Sequence, residues 1–144
     1  MSASPVRLGT WRRMLLLPLA SLALAGCGDG GGPASDVLSA TYILQTIGGD
    51  PVPSTVFEED NYRIEVTAGR LTFNADRSWE ASLDFRETGA GRVSEETVTG
   101  HGTYRRDGDA LTLTDAHGVR TAGSLSGNTL LYSAQGFSSV WLRQ

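Results

Sequence analysis

From residue 41 onward, apolar residues alternate with polar ones in short runs, and turn residues interrupt them every 8–12 positions. A period of two puts successive side chains on opposite faces of a strand, so each run has one apolar and one wet face. Leu71 and Phe73 share a face, as do Trp79, Ala81, Leu83 and Phe85, and likewise Leu111 and Leu113, with Thr72, Glu80, Ser82, Asp84 and Thr112 between them. Three stretches repeat the form strand, short turn, strand. They are 70–74 and 78–86 around Ala75-Asp76-Arg77, 110–114 and 119–125 around residues 115–118, and 129–133 and 137–142 around Ala134-Gln135-Gly136. Residues 41–47, 62–67 and 93–105 supply further strands, for about nine segments. Connections this short make sequential strands antiparallel neighbours. A meander with one apolar face buries it by curling into a closed barrel, which also removes unpaired edges. The expected fold is therefore all-β, an antiparallel up-and-down meander closed into a small barrel of about eight strands. A two-sheet sandwich is the rival.

Two places are less regular. Gly48-Gly49-Asp50-Pro51-Val52-Pro53 ends the first strand, and its prolines predict extended, unpaired backbone. Residues 54–60 allow a short helical turn begun by Ser54 or Thr55. Gly100 and Gly102, two apart in a strand, predict a bend or a close backbone approach.

The first 35 residues are different in kind. Residues 1–13 hold Arg7, Arg12 and Arg13 and no acid, residues 14–25 (MLLLPLASLALA) are apolar, and Gly26-Cys27 follows. This is the layout of a secretory signal peptide. Twelve helical residues reach only about 18 Å, short of a hydrocarbon core of about 30 Å. Arg12-Arg13 also fits a twin-arginine signal, although the strong apolar run favours ordinary export. The junction Leu24-Ala25-Gly26-Cys27 resembles the lipobox of bacterial lipoproteins. That resemblance implies cleavage between Gly26 and Cys27, lipidation of the Cys27 sulfur and acylation of its amino group. Several acyl chains hold a protein to a bilayer where one does so only marginally. Gly28 after the cysteine, by the same resemblance, implies the periplasmic face of the outer membrane in a Gram-negative cell. Residues 28–35 (GDGGGPAS) form a flexible tether. The expected organisation is a signal peptide over 1–26, a lipidated cysteine and tether over 27–36, and a barrel domain over 37–144.

Cys27 is the only cysteine, so no internal disulfide is available and apolar burial must stabilise the domain. There is no lysine, and the 16 acids outnumber the 12 arginines. All the acids lie at or beyond Asp29, so a chain beginning at Cys27 has a formal charge of −7. An acidic exterior repels phosphate backbones and excludes nucleic acid as a partner.

The chain beyond residue 39 resembles the small lipocalin-like domains of bacterial lipoproteins. The matching residues are Tyr42-x-Leu44 leading to residues 49–53 (GDPVP), Gly69-Arg70-Leu71-Thr72-Phe73 with its polar turn, Gly102-Thr103-Tyr104 before Leu111-Thr112-Leu113-Thr114, and the closing Val140-Trp141-Leu142-Arg143. The resemblance implies an up-and-down barrel and small-ligand binding, with no catalysis.

Chemistry-bearing constellations are sparse. His101 and His117 fall short of a zinc ligand set, which needs three or four donors. No Gly-x-Ser-x-Gly occurs. Glu58-Glu59-Asp60 and Glu95-Glu96 lack the spacing of a calcium loop, and Asp107-Gly108-Asp109 reads as a hairpin turn. No cofactor and no enzymatic activity are expected. Tyr42, Trp79, Phe85, Tyr104 and Trp141 are the candidate lining of a ligand pocket and fit a packed core equally well. An eight-stranded interior is either filled by side chains or holds one small ligand. Two functions follow, a tethered module binding a small apolar molecule and an interaction protein docking another envelope protein with a filled barrel. A pocket of at least about 300 Å³ separates them.

Overall fold

The computed structural model describes residues 36–134 and 136–144. The expected signal peptide, Cys27 and the expected tether up to residue 35 lie outside them. The described residues form ten strands: β1 (Ala40–Ile47), β2 (Asp50–Pro51), β3 (Ser54–Glu59), β4 (Tyr62–Phe73), β5 (Ser78–Gly89), β6 (Arg92–Asp107), β7 (Ala110–Asp115), β8 (Arg120–Ser126), β9 (Thr129–Ala134) and β10 (Phe137–Arg143). All pairings are antiparallel. From β4 to β10 each strand neighbours the next, β1 pairs with β10, and β1 also pairs with β4. That last pairing joins Ala40–Ile43 to Arg70–Phe73 and closes β1 and β4–β10 into an eight-stranded barrel. The alternation identified the fold; the sandwich is excluded.

The hairpin turns have the chemistry the sequence offers. Ala90 and Gly91, between β5 and β6, have φ of 48° and 73°. Positive φ at both central residues is the two-residue turn whose twist matches its strands. The β4–β5 and β7–β8 turns share one design. Asn74 N–H donates to Ser78 O and Arg77 N–H to Asn74 O; Asp115 N–H donates to Val119 O and Gly118 N–H to Asp115 O. In each an aspartate side chain completes the turn. Asp76 Oδ1 accepts from Ser78 N–H at 2.9 Å, and Asp115 Oδ1 from Val119 N–H at 2.9 Å.

Three expectations are corrected. Residues 54–59 are strand, not a helical turn: β3 pairs with β4 from Ser54↔Val66 to Glu59↔Tyr62. Its register shifts between Thr55 and Phe57, which breaks the alternation that would have marked it as a strand. The Pro51 region is not unpaired, because Thr46 pairs with Pro51 and Val52 N–H supplies the bond to Gln45 O that proline cannot give. Residues 62–73 are one strand with a bulge between Val66 and Ala68. The bulge lets Val66 on one side and Leu71 and Phe73 on the other all face inward.

The strand glycines are close-approach sites. A Cβ on Gly102 would collide with Thr114 O, and one on Gly69 would meet Leu83 Cδ2 at 2.8 Å and Leu44 Cβ at 2.9 Å. Gly100 is looser, with the Trp79 ring at 3.5 Å.

One part of the sheet extends beyond the barrel. β5 and β6 pair without a register break from Ser78↔Thr103 to Gly89↔Arg92, whereas β7 accompanies β6 only from Gly102 to Asp107. Residues 92–101 of β6 are therefore hydrogen-bonded on one side alone. With residues 84–89 of β5, 62–66 of β4 and β3, they form a four-stranded lip standing past the barrel rim.

Candidate functional site: an apolar cavity at the open end of the barrel

The barrel interior divides along its axis. One end is filled by Leu38, Tyr42, Phe73, Tyr104, Leu111, Leu125 and Leu130, all buried. Phe73 packs edge-on against Tyr42 with centroids 5.7 Å apart and against Tyr104 at 5.0 Å, the arrangement that ring quadrupoles favour. The Tyr104 hydroxyl accepts from Leu38 N–H at 2.6 Å and lies 2.9 Å from Leu38 O and 3.0 Å from Asn74 O. It ties the segment entering β1 to the β4–β5 turn. Burial pushes the Tyr42 phenol pKa up, and the Arg143 and Arg106 charges partly offset this.

The other end is hollow. A cavity of about 500 Å³ lies between Leu71 and Leu113 at its floor and Ile47, Val56, Val98 and Phe137 toward its mouth. Trp79, Ala81, Leu83 and Phe85 of β5 supply one wall, and Tyr132, Ser139 and Trp141 the opposite one. Among the described residues no charged side chain lines it. Three of its polar side chains are partnered within the wall. Trp79 Nε1 donates to Thr103 O at 3.0 Å, Trp141 Nε1 to Ser139 Oγ at 2.8 Å, and Ser139 Oγ–H to Tyr132 O at 2.9 Å. The walls thus offer mainly apolar surface, with the Thr99 and Tyr132 hydroxyls as their further polar groups, so they suit a small, largely apolar molecule.

Of the five aromatic residues expected to line a pocket, Trp79, Phe85 and Trp141 do, while Tyr42 and Tyr104 belong to the filled end. Alternation told which side chains point inward but not their depth along the axis. Ile47, Val56, Leu83, Val98 and Phe137 also line the cavity, and sequence reasoning did not single them out for it. The exposure of Val98 (49%) and Phe137 (41%) marks the mouth.

The lip continues the wall outward. Phe85 pairs with Val66 on one side and Glu96 on the other, and paired residues share a face. Glu87, two residues along β5, points the same way. At the tip Glu59, Asp60, Tyr62, Glu87 and Arg92 border a shallow surface depression, which gathers two of the three residues of the first acidic cluster. Tyr62 packs edge-on against Phe57 with centroids 6.0 Å apart, and its phenol pKa is raised by desolvation and by Glu87. On the opposite face Arg86 pairs with Glu95 at 3.2 Å and Arg63 approaches Glu65 at 3.9 Å. Eight carboxylates and three arginines lie in residues 54–66 and 84–101, a net −5; the rest of the described chain has seven and six, a net −1. His101 lies exposed on β6 and His117 in the β7–β8 turn.

No protein-family model matches the sequence, and no curated protein matches it. One similar solved structure is the crystal structure of the Cpx pathway activator NlpE from Escherichia coli. It is 20% identical, with a TM-score of 0.42, over 68% of this chain and 43% of that one. The present chain therefore spans less than half the length of that neighbour.

Proposed function

We propose that this chain is a membrane-tethered lipoprotein of the cell envelope whose barrel binds one small apolar molecule in its open end, without catalysis. The observation behind the binding reading is the cavity of about 500 Å³ with uncharged, mainly apolar walls. It exceeds the 300 Å³ or so at which small-ligand pockets begin. The tether reading rests on residues 24–27 behind their apolar run. The binding test uses N-phenyl-1-naphthylamine, an uncharged probe that brightens in apolar surroundings and quenches nearby tryptophan. Trp79 and Trp141 line the cavity, so both signals should saturate together at one probe per chain. Ala81→Phe, which places a ring in the space, should weaken binding at least tenfold at unchanged thermal stability. Non-saturable fluorescence, or an Ala81→Phe variant that binds as well as the parent, would end this reading. The tether test is Cys27→Ser, which should abolish incorporation of labelled palmitate and release the protein from membranes.

A second reading, docking to another envelope protein, draws on the unpaired side of β6 over residues 92–101, where a partner strand could add to the sheet. Copurification that survives Ala81→Phe and is lost on inserting proline at Thr97 would favour it.

A further inference from the structure

We propose that the ligand is an amphiphile with an apolar tail and a cationic or uncharged head, and that Glu87 and Glu96 discriminate against anionic heads. This rests on the apolar-ligand reading and specifies the ligand's class.

The geometry of one continuous face supports it. A tail in the cavity lies against Leu83, Phe85 and Val98, and no charged wall residue meets it there. Its head must emerge at the mouth, since the opposite end of the barrel is filled. Leaving along the lip, the head meets Glu96 first. Glu96 faces the same way as Val98 and lies about 7 Å further along β6, at 3.2–3.4 Å per residue. Glu87 comes next on β5, facing the same way as Phe85. Among the described residues neither carboxylate makes a salt bridge, whereas Glu95 on the reverse face is paired with Arg86. On this face of the lip's β5 and β6 residues the two carboxylates stand with a single cation, Arg92, on a lip that holds a net −5. Arg92 shares this face at the tip, four residues beyond Glu96 and diagonal to Glu87, with which it borders the tip depression.

Two carboxylates at about 7–10 Å attract a cationic head and repel an anionic one. Across water that difference corresponds to roughly tenfold in affinity at low ionic strength. It fades as the screening length contracts from about 30 Å at 0.01 M salt to about 3 Å at 1 M. A fatty acid or an anionic detergent is disfavoured on the same grounds.

The experiment titrates the purified protein with three amphiphiles sharing one decyl tail, decyltrimethylammonium, decyl maltoside and decyl sulfate, each below its micelle concentration and read by displacement of the naphthylamine probe. The expected order is cation at least equal to neutral, and both tighter than anion. The cation-to-anion ratio should be about tenfold at 0.01 M salt, fall within twofold at 1 M, and drop at least threefold in Glu87→Gln/Glu96→Gln. Equal affinity for all three, or tighter binding of the sulfate, overturns the head selection and leaves the cavity reading standing. Cation binding that is unchanged when the tail is shortened to ethyl also overturns it, because the acidic surface alone would then be the site. Failure of all three to bind removes the cavity reading as well.

Discussion

Replacing Tyr104 by phenylalanine isolates one atom at the filled end of the barrel. The ring keeps its place against Phe73, 5.0 Å away, and only the hydroxyl is lost. That hydroxyl accepts from Leu38 N–H and donates its one proton to Leu38 O or Asn74 O. Leu38 is 7% exposed, so water does not reach the vacated partners easily. A buried group left unsatisfied costs about 1–3 kcal/mol. Here an N–H and a share of the two carbonyls are orphaned, for about 2–4 kcal/mol. For a domain of this size each kcal/mol shifts Tm by roughly 4–8 °C, so the variant should melt about 10–20 °C below the parent. Differential scanning calorimetry measures the shift, and amide exchange should show Leu38 N–H losing protection. Probe binding in the cavity should stay unchanged, since Tyr104 lies away from it. A Tm within 2 °C of the parent would refute the assignment of this hydroxyl as the tie between the entering segment and the β4–β5 turn. Weakened probe binding at unchanged Tm would instead return Tyr104 to the ligand site.

Two further outcomes follow from local geometry. Gly102→Ala places a Cβ against the Thr114 carbonyl and should cost more than 2 kcal/mol, whereas Gly100→Ala meets the Trp79 ring at an ordinary 3.5 Å and should cost less than 1 kcal/mol; urea melts compare them. The Asp76 carboxyl is held below its ordinary pKa of 3.8, chiefly by the Ser78 hydroxyl and then by the Ser78 N–H. A folded pKa below the unfolded value means stability present above pH 3.8 and lost as pH falls through the folded value. Asp76→Ala should therefore be less stable than the parent at pH 7, and the gap should close by pH 2 in paired thermal melts.

The hairpins were legible because their determinants are local. In residues 70–79 the alternating Leu71 and Phe73, the Asn74–Arg77 turn and the apolar Trp79 are all within ten positions. What escaped depended on bulges and depth. At β3 the register shift between Thr55 and Phe57 puts apolar residues side by side in sequence, which hides a strand. At β4 the bulge at residue 67 switches the inward parity midway, so one strand looked like two. The first half of β6 has no buried face, and its length beyond the barrel is set by pairing with β5 rather than by any core of its own. Tyr42 and Trp141 are equally apolar and inward. Only the stagger of β1 against β10 sends one to the filled end and the other to the cavity wall. The candidate site was therefore half visible: its tryptophans could be named from the alternation, but its mouth could not.

The seam between β1 and β10 joins Tyr42 to Arg143, 101 residues apart in the chain. Every other barrel contact except β1–β4 links strands consecutive in sequence. Closure is thus the one step that must wait for β10, and it carries the largest loop-entropy cost of the described topology. Until that strand arrives, the polypeptide is a row of hairpins with β1 lacking one neighbour, able to thread and slow to lock. Folding kinetics should accordingly be governed by arrival of the final strand, and truncating it should leave an uncurled, sticky meander rather than a smaller barrel.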